Sequence, residues 1–270
     1  MNQDHVKQIL LDIKEDVADF QLIFSGKSSR KVNGLYKPQT MEIIIHNHNF
    51  SNDNELIYTA IHEFAHHIHF THKDNVLRRV SRAHNSEFYT LFYELLEKAE
   101  ACGYYQPSFN TDDQLTSITQ QLQNDVIASS GKLMKKMGDL LLQAQTICRE
   151  KGLRFDDYLD RVLQLPRQSA AFMMKAKALQ LDEKLGYERM KVAAQFNDPL
   201  RREQAVSKML DQTPIEQVKH QLKPKHLLEP MEKLQKERDR VGRSIERLNS
   251  YLLQIEEEIK KMEKLNASSY

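Results

Sequence analysis

The sequence contains little of what would build a disulfide-bonded or loop-rich protein. Its 270 residues include two cysteines, eight glycines, seven prolines and no tryptophan. Two cysteines exclude a disulfide framework and favour a reducing compartment. Low glycine and proline counts are typical of a mostly helical chain. We therefore expect a largely helical protein of the cytoplasm.

Long apolar runs and a strong net charge are absent as well. No apolar stretch approaches the length of about 18 residues that a membrane-spanning helix needs, and no signal peptide is recognisable. The formal net charge is +1, which is too small to indicate nucleic-acid binding by itself. We expect a soluble protein that does not enter a membrane.

The most informative stretch is His62-Glu63-Phe64-Ala65-His66, which has the pattern H-E-x-x-H. Apolar residues at helical spacing surround it, so it lies on an amphipathic helix. Histidines at i and i+4 share one helix face and can bind one Zn²⁺. Glu63 follows the first ligand and can act as general base toward a water that the metal activates.

Catalytic zinc usually takes three protein ligands, so a third must come from elsewhere in the chain. His69 lies about 10 Å beyond His62 along the helix, and His67 points about 100° away from His66. Both are expected to be solvated or second-shell groups. His72 belongs to the end of the helix.

His84 opens a second apolar-periodic segment and is the expected third ligand. Glu87, one turn further along the same face, stays as an alternate ligand or as a group that orients one.

With H-E-x-x-H followed by His84-Asn85-Ser86-Glu87-Phe88, the chain resembles the SprT-like and related small zinc metallopeptidases. Those families carry H-G-x-x-F or H-S-x-x-F as the second element, so Asn85 is a departure. The resemblance covers residues 20–105. It implies an α+β zincin core in which His62, His66 and His84 hold zinc and Glu63 activates water. No C-x-x-C zinc ribbon follows.

Three short strands are expected before the metal-binding helix, at 20–24, 31–36 and 41–45. An edge strand beside a zincin cleft can bind an extended peptide by strand addition, and Gly34–Tyr36 is the candidate for that role. His46 and His48 form a polar loop after the third strand, a more economical interpretation than a second metal site.

From residue 112 to 222 nearly every segment has helical periodicity, with an expected break near Ser129–Gly131. Residues 155–163 form a short helix, and Pro166 opens the next one. This outline is that of a helix-turn-helix, which would place Arg167, Gln168 and Ser169 against DNA. A plain helical bundle is the alternative.

The last segment, 223–270, has an a/d heptad pattern between 227 and 262 that is typical of a coiled coil. The seam contains Leu227, Met231, Leu234, Arg238, Val241, Ile245, Leu248, Leu252, Ile255, Ile259 and Met262. The side chain of Arg238 can cover the seam with its long aliphatic stem while its charge reaches water. A parallel dimer is one outcome and an intramolecular helical hairpin is the other; we favour self-association.

Together these features predict an α+β zincin-like domain (1–107), a helical domain (112–222) and a coiled coil (223–270). The expected activity is that of a zinc metallopeptidase acting on protein substrates, with Tyr89, Tyr93, His67 or Arg82 as candidate oxyanion partners. The second hypothesis is a DNA-associated regulator that cleaves or tethers a DNA-bound partner. The third is a non-catalytic, zinc-stabilised coiled-coil adaptor.

Overall fold

The computed structural model describes residues 1–72, 84–222 and 230–267. The chain divides into two compact units, Met1–Lys223 and Pro224–Tyr270. The first unit is mostly helical and contains a small three-stranded sheet. The expected α+β character with a following helical region is confirmed at this coarse level.

The sheet is formed by β1 (Gln21–Phe24), β2 (Gly34–Lys37) and β3 (Glu42–Ile45) in the order β1-β3-β2. β1 runs parallel to β3, and β2 pairs antiparallel with β3 through a tight connection. β2 is therefore an edge strand, as expected for Gly34–Tyr36.

Three helices pack with this sheet around one hydrophobic core. They are α1 (Gln3–Ile13), α2 (Asp53–Thr71) and α3 (Ser86–Ala101). Each contributes an apolar stripe, and residues such as Leu10, Ile57, Phe64, Phe88 and Leu95 are fully buried or nearly so. The i, i+3, i+4 spacing of α2 supplies the stripe that meets the sheet.

The rest of the first unit is helical. Its elements are α4 (Asp113–Gln121), a π-helical turn (Leu122–Ile127), α5 (Ala128–Glu150), α6 (Phe155–Asp157) with a π-helical continuation (Tyr158–Leu163), α7 (Arg167–Ala178), α8 (Gly186–Ala193), α9 (Pro199–Leu210) and α10 (Ile215–Gln221). Single 3-10 turns lie at Asn47–Asn49, Ser108–Asn110 and Glu183–Leu185. A second hydrophobic core joins α5 to α10.

The two cores belong to one compact unit, because α10 also packs against α3. The expected division between residues 107 and 112 stays a prediction. The two separate hydrophobic cores favour a domain boundary there, whereas the contact of α10 with α3 connects the part before the boundary to the part after it.

The expected helix break near Ser129–Gly131 is wrong. α5 runs through these residues, and the irregular stretch is the π-helical turn at Leu122–Ile127. Gly131 is instead a packing residue, since a Cβ there would overlap the carbonyl group of Glu183. A glycine inside a helix can mark a close backbone approach as well as an end.

The second unit is described by a single helix, α11 (Pro230–Ala267). The segment forms one uninterrupted helix, without a hairpin between residues 230 and 267. The apolar seam residues from Leu234 to Met262 are between 38% and 65% exposed in the single chain. Leu227 lies outside the described residues. Among the described helices none is long and apolar enough to cross a membrane.

The packing of α5 on α7 depends on Gly138, and this can be tested. A Cβ at Gly138 would overlap the carbonyl oxygen of Met173. Alanine improves helix propensity by about 1 kcal/mol, yet we expect Gly138→Ala to lower the free energy of unfolding by about 2 kcal/mol through overpacking. Urea denaturation followed by circular dichroism measures the change.

Gly242→Ala is the matched control, because nothing lies within 4 Å of a Cβ at that helical position. It should leave stability unchanged or raise it by about 0.5–1 kcal/mol. Equal, stabilising effects of the two substitutions would show that α5 and α7 are not in this contact.

Candidate metal centre

The helix that carries the H-E-x-x-H motif is well defined at both ends. The side chain of Asn52 caps α2 by accepting the Glu55 amide at 2.9 Å, and Asp53 and Glu55 place negative charge in the first turn. At the other end the His72 amide donates to the Ile68 carbonyl, as its expected terminal position requires. The motif therefore lies in the middle of a rigid, half-buried helix.

Three histidine side chains converge beside this helix. The Nε2 atom of His84 lies 3.2 Å from Nε2 of His62 and 3.0 Å from Nε2 of His66. In the described part of the chain, these three residues are the only histidine, cysteine, aspartate and glutamate side chains that gather as a metal-binding group. The structure thus brings together the three ligands expected from the sequence.

The donor set fits a zinc ion. Three nitrogens bound tetrahedrally at about 2.0–2.1 Å would lie about 3.3 Å apart, close to the two distances observed. A neutral imidazole has one N–H, so hydrogen bonds made directly between the rings cannot satisfy all three Nε2 atoms. Some nitrogen lone pairs would face each other. A shared cation satisfies all three atoms at once.

Phe88 holds the three imidazoles together. Its fully buried ring stacks on His66 at 4.3 Å between ring centroids, and the His84 and His62 rings lie at 4.9 and 5.1 Å. Sequence periodicity identified Phe88 only as a packing residue of α3. The phenylalanine of the H-x-x-x-F element is the signal that could have indicated this role.

His84 reaches the site from just before α3 and not from within it. The helix begins at Ser86, and the Asn85 side chain caps it by accepting the Phe88 amide at 2.9 Å. Asn85 has a φ of −98°, so this position does not require glycine. The departure from the family pattern therefore has a structural explanation.

Glu63 lies between the histidines and the edge of the sheet. It is only 7% exposed, and the backbone N–H of Tyr36 donates to its carboxylate. Burial raises the pKa of Glu63 to about 7, against the lowering effect of this hydrogen bond. A Cβ at Gly34 would lie 3.0 Å from both Glu63 Cγ and Thr59 Cγ2, so glycine lets β2 approach the helix closely.

Two of the three clustered histidines, His62 and His66, are held in their neutral form. Burial lowers the pKa of His62 to about 4 and that of His66 to about 3, and the neighbouring histidines add to both shifts. Neutral imidazole is the form that binds metal. The two ligands on α2 are therefore prepared to bind a cation through the neutral and mildly acidic range.

His67 was expected to be a solvated or second-shell group, and its complete burial excludes the solvated alternative. Its Nε2–H donates to the Ala18 carbonyl at 2.8 Å, so Nδ1 accepts the Tyr36 hydroxyl at 3.1 Å. Burial lowers the pKa of His67 and raises that of Tyr36 to about 12. With both ring nitrogens bonded inside the protein, His67 is not available as an oxyanion partner.

Glu87 lies beside His69 rather than within the histidine group, with Oε2 at 3.9 Å from Nε2 of His69. His69 is buried, not solvated. The carboxylate of Glu87 thus lies next to His69 and outside the group formed by His62, His66 and His84. Its role as alternate ligand or orienter stays a prediction.

Two of the other oxyanion candidates lie along α3. The Tyr89 ring is 6.1 Å from the His84 ring, and Tyr93 stacks on Tyr89 at 6.0 Å. Arg82 lies outside the described residues. Of the candidates that the structure describes, Tyr89 is the one in contact with a metal-binding histidine.

The polar loop after β3 has its own hydrogen bonds. Nδ1 of His46 lies 2.9 Å from the Ser25 hydroxyl, and His48 is exposed in the 3-10 turn. This agrees with the expectation of a polar loop after the third strand.

The candidate DNA-binding residues lie at the start of α7. Arg167 forms ion pairs with Asp160 and Asp156 of the preceding helical segment, while Gln168 is exposed and Ser169 half-buried. Hydrogen bonding and charge from these carboxylates raise the pKa of Arg167. The Arg167 guanidinium thus links two helical segments. To contact Arg167, a DNA phosphate would have to displace the carboxylates of Asp160 and Asp156.

Comparison of the chain with family models, with curated proteins and with solved structures found no match. The resemblance to SprT-like peptidases therefore depends on the motif residues alone.

The raised pKa of Glu63 predicts how replacing it changes stability. In the metal-free protein the folded state keeps the Glu63 proton between pH 4.5 and about 7, whereas the unfolded state loses it. Stability is therefore lost as the pH rises through this window. We expect the free energy of unfolding of Glu63→Gln to rise relative to that of wild type by about 2–3 kcal/mol as the pH increases from 4.5 to 8. Urea denaturation in the presence of a chelator measures this difference.

Glu42→Gln provides a control of opposite sign. The hydrogen bond from Lys37 lowers the pKa of Glu42, so its carboxylate contributes stability that is present above pH 4.5. Replacing it should cost stability at neutral pH. A Glu63→Gln difference that does not change with pH would contradict the buried placement of Glu63.

Proposed function

We propose that this protein is a zinc-dependent peptidase of the SprT-like zincin type, which hydrolyses peptide bonds in protein substrates. Its metal ligands are His62, His66 and His84, and Glu63 is the general base. The observation that carries the proposal is the convergence of the Nε2 atoms of His62, His66 and His84 beside buried Glu63, which lies on the same helix as His62 and His66.

The arrangement favours a catalytic site over a purely structural one. A structural zinc site is usually closed by four protein ligands, whereas three converge here among the described residues. A zinc ion held by them would supply Lewis acidity and lower the pKa of water. His84 is exposed, so the site is open to solvent and to a substrate.

Glu63 has the properties of a base that works near neutral pH. Its pKa of about 7 lets it take a proton from water and return it to the leaving amine. The Tyr36 N–H orients the carboxylate, and the Tyr36 side chain is itself anchored on buried His67. The base is therefore held by the edge strand.

β2 is the proposed docking strand for the substrate. The His46 amide donates to the Asn33 carbonyl, and hydrogen bonds alternate along an antiparallel pair. The backbone groups of Leu35 therefore face β3, while both backbone groups of Gly34 and the carbonyl of Tyr36 face the open edge, where the Tyr36 N–H already donates to Glu63. An extended peptide can pair with this edge by strand addition.

A peptide antiparallel to β2 would run from Tyr36 toward Gly34 and pass Glu63 on the way. Beyond Gly34 lies a cleft of about 470 Å³ beside the N-terminal half of α2, with Thr59 and Tyr58 in its wall. We propose that this cleft receives substrate residues that follow the cleaved bond.

Metal analysis combined with a peptidase assay tests the proposal. We expect wild type to bind about one zinc per chain and to cleave an unfolded protein such as casein, with loss of cleavage in a chelator. Glu63→Gln should keep zinc and lose about 10²–10⁴-fold in turnover, because the proton acceptor is removed. His84→Ala should lose the metal. Elemental analysis and gel-based cleavage provide both measurements.

His48→Ala is the matched control, since His48 is an exposed histidine outside the metal group. It should keep zinc and activity. Absence of zinc in reconstituted wild type, or full activity of Glu63→Gln, would reject the peptidase. Zinc without turnover would favour the adaptor, and DNA binding that weakens steeply with salt would favour the regulator.

We also propose that the heptad seam of α11 associates with a second copy of the chain. Ten seam positions from 231 to 262 cover more than four heptads, and nine of them are apolar. Exposed leucines and isoleucines along one stripe of a single helix gain free energy by burial in a coiled coil.

Two adjacent leucines provide the test of this association. Leu252 occupies the seam and Leu253 does not, while their exposed fractions are similar at 53% and 62%. Leu252→Asp should shift the protein toward monomer in sedimentation velocity, because it places a charge in the seam. Leu253→Asp should leave the mass unchanged. A monomeric wild type at micromolar concentration would disprove the association.

A further inference from the structure

A second cavity, of about 750 Å³, lies in the helical part of the first unit and shares no residue with the histidine site. Its walls come from the π-helical turn Leu122–Ile127, α5, the connection from α7 to α8 and the end of α9. The volume is in the range of small-molecule binding pockets. With Arg189 of α8, five chain segments line this half-open concave site.

Positive charge dominates the lining of this cavity. Four cationic residues line it against two acidic ones, which is an excess of two positive charges; the cationic residues are Lys132, Lys135, Lys184 and Arg189, and the acidic ones are Asp182 and Glu183.

Both carboxylates already have partners. Glu183 pairs with Lys135 at 3.3 Å, and Asp182 accepts the backbone amide of Lys184 at 2.8 Å. Among the described residues no carboxylate pairs with the Lys132 or Lys184 ammonium group. Lys132 and Lys184 therefore contribute positive charge at the cavity lining that no described carboxylate pairs with.

Arg189 is held in a fixed position in the wall. Its Nη1 donates to the Met209 carbonyl at 2.8 Å, and the residue is half-buried. A guanidinium anchored through one nitrogen keeps further N–H groups for a ligand. Together with two lysines, it forms a site for a compact anion.

The walls are rigid and locally strained. Gln180 and Gln212 line the cavity with φ values of +50° and +63°, a left-handed conformation that costs a non-glycine residue roughly 1 kcal/mol or more. Gly131 and Gly186 bring α5 and the turn before it into contact with the 183–186 connection, where a Cβ would overlap neighbouring atoms. Strained backbone and π-helical turns concentrate at binding sites.

We propose that this cavity binds a phosphate-bearing small molecule of nucleotide size. Lys132, Lys184 and Arg189 provide charge-assisted hydrogen bonds to the phosphates. The amide side chains of Asn124 and Gln212 can hydrogen-bond the rest of the ligand. The enclosed shape favours a small molecule over duplex DNA, which needs an extended basic face.

Isothermal titration calorimetry with ATP and with inorganic pyrophosphate tests the site in the full-length chain. We expect saturable binding with one site per chain, weakened at least tenfold in a Lys132→Gln, Lys184→Gln double variant. Both lysines are exposed, so the variant should fold normally, as thermal unfolding can verify. Binding of pyrophosphate alone would assign the site to phosphate groups without a nucleoside, and binding of ATP alone would assign it to nucleotides.

The control is a Lys136→Gln, Lys151→Gln double variant, which removes the same charge from exposed lysines outside the cavity. It should bind as wild type does. No binding of either probe at millimolar concentration, an equal loss in the control, or binding of duplex DNA alone would overturn the proposal. His84→Ala should bind like wild type, so this result is independent of the zinc site.

Discussion

The packing of Phe88 against three imidazoles is the contact on which the site depends. Its ring lies between α2 and α3 and touches His62, His66 and His84, so the interface of the two helices is also the floor of the metal group. The hydrophobic core thereby sets the distances between ligands on two separate segments. A site built on packed helices is positioned more sharply than one built on loops alone.

The sheet contributes the second half of the same site. Gly34 lets β2 approach α2, and the Tyr36 amide then reaches the Glu63 carboxylate. The Tyr36 hydroxyl is anchored on His67, one residue after a metal ligand. Backbone of the edge strand and side chains of the helix thus form one unit, in which a peptide on the strand would lie beside the base.

Several features were predictable because they depend on local geometry. The i, i+4 spacing of His62 and His66 decides that they share a face in any α-helix. The three strands followed from short runs with strand-forming residues, and the edge position of β2 was expected from the zincin resemblance. His84 as the third member of the group followed from the spacing and from the resemblance. Its position before α3, outside the helix, did not, because helix ends depend on the cap formed by Asn85.

Other features depend on contacts between distant segments, which periodicity does not contain. His67 was expected to be solvated or second-shell and is fully buried, because Ala18 and Tyr36 supply hydrogen-bond partners from distant parts of the chain. Gly131 was expected at a helix break and instead lies against the carbonyl of Glu183.

By itself, the sequence determined the helical character, the ligand pair with its neighbouring glutamate, and the heptad seam of α11. Each follows from spacing along a regular helix, whose geometry is the same in any fold. Only the tertiary structure decided that His84 approaches the pair from outside α3, that Glu63 is buried with a pKa of about 7, and that a basic cavity lies among the later helices. Those properties arise from burial and from charges brought together across the chain, and neither is specified by local spacing.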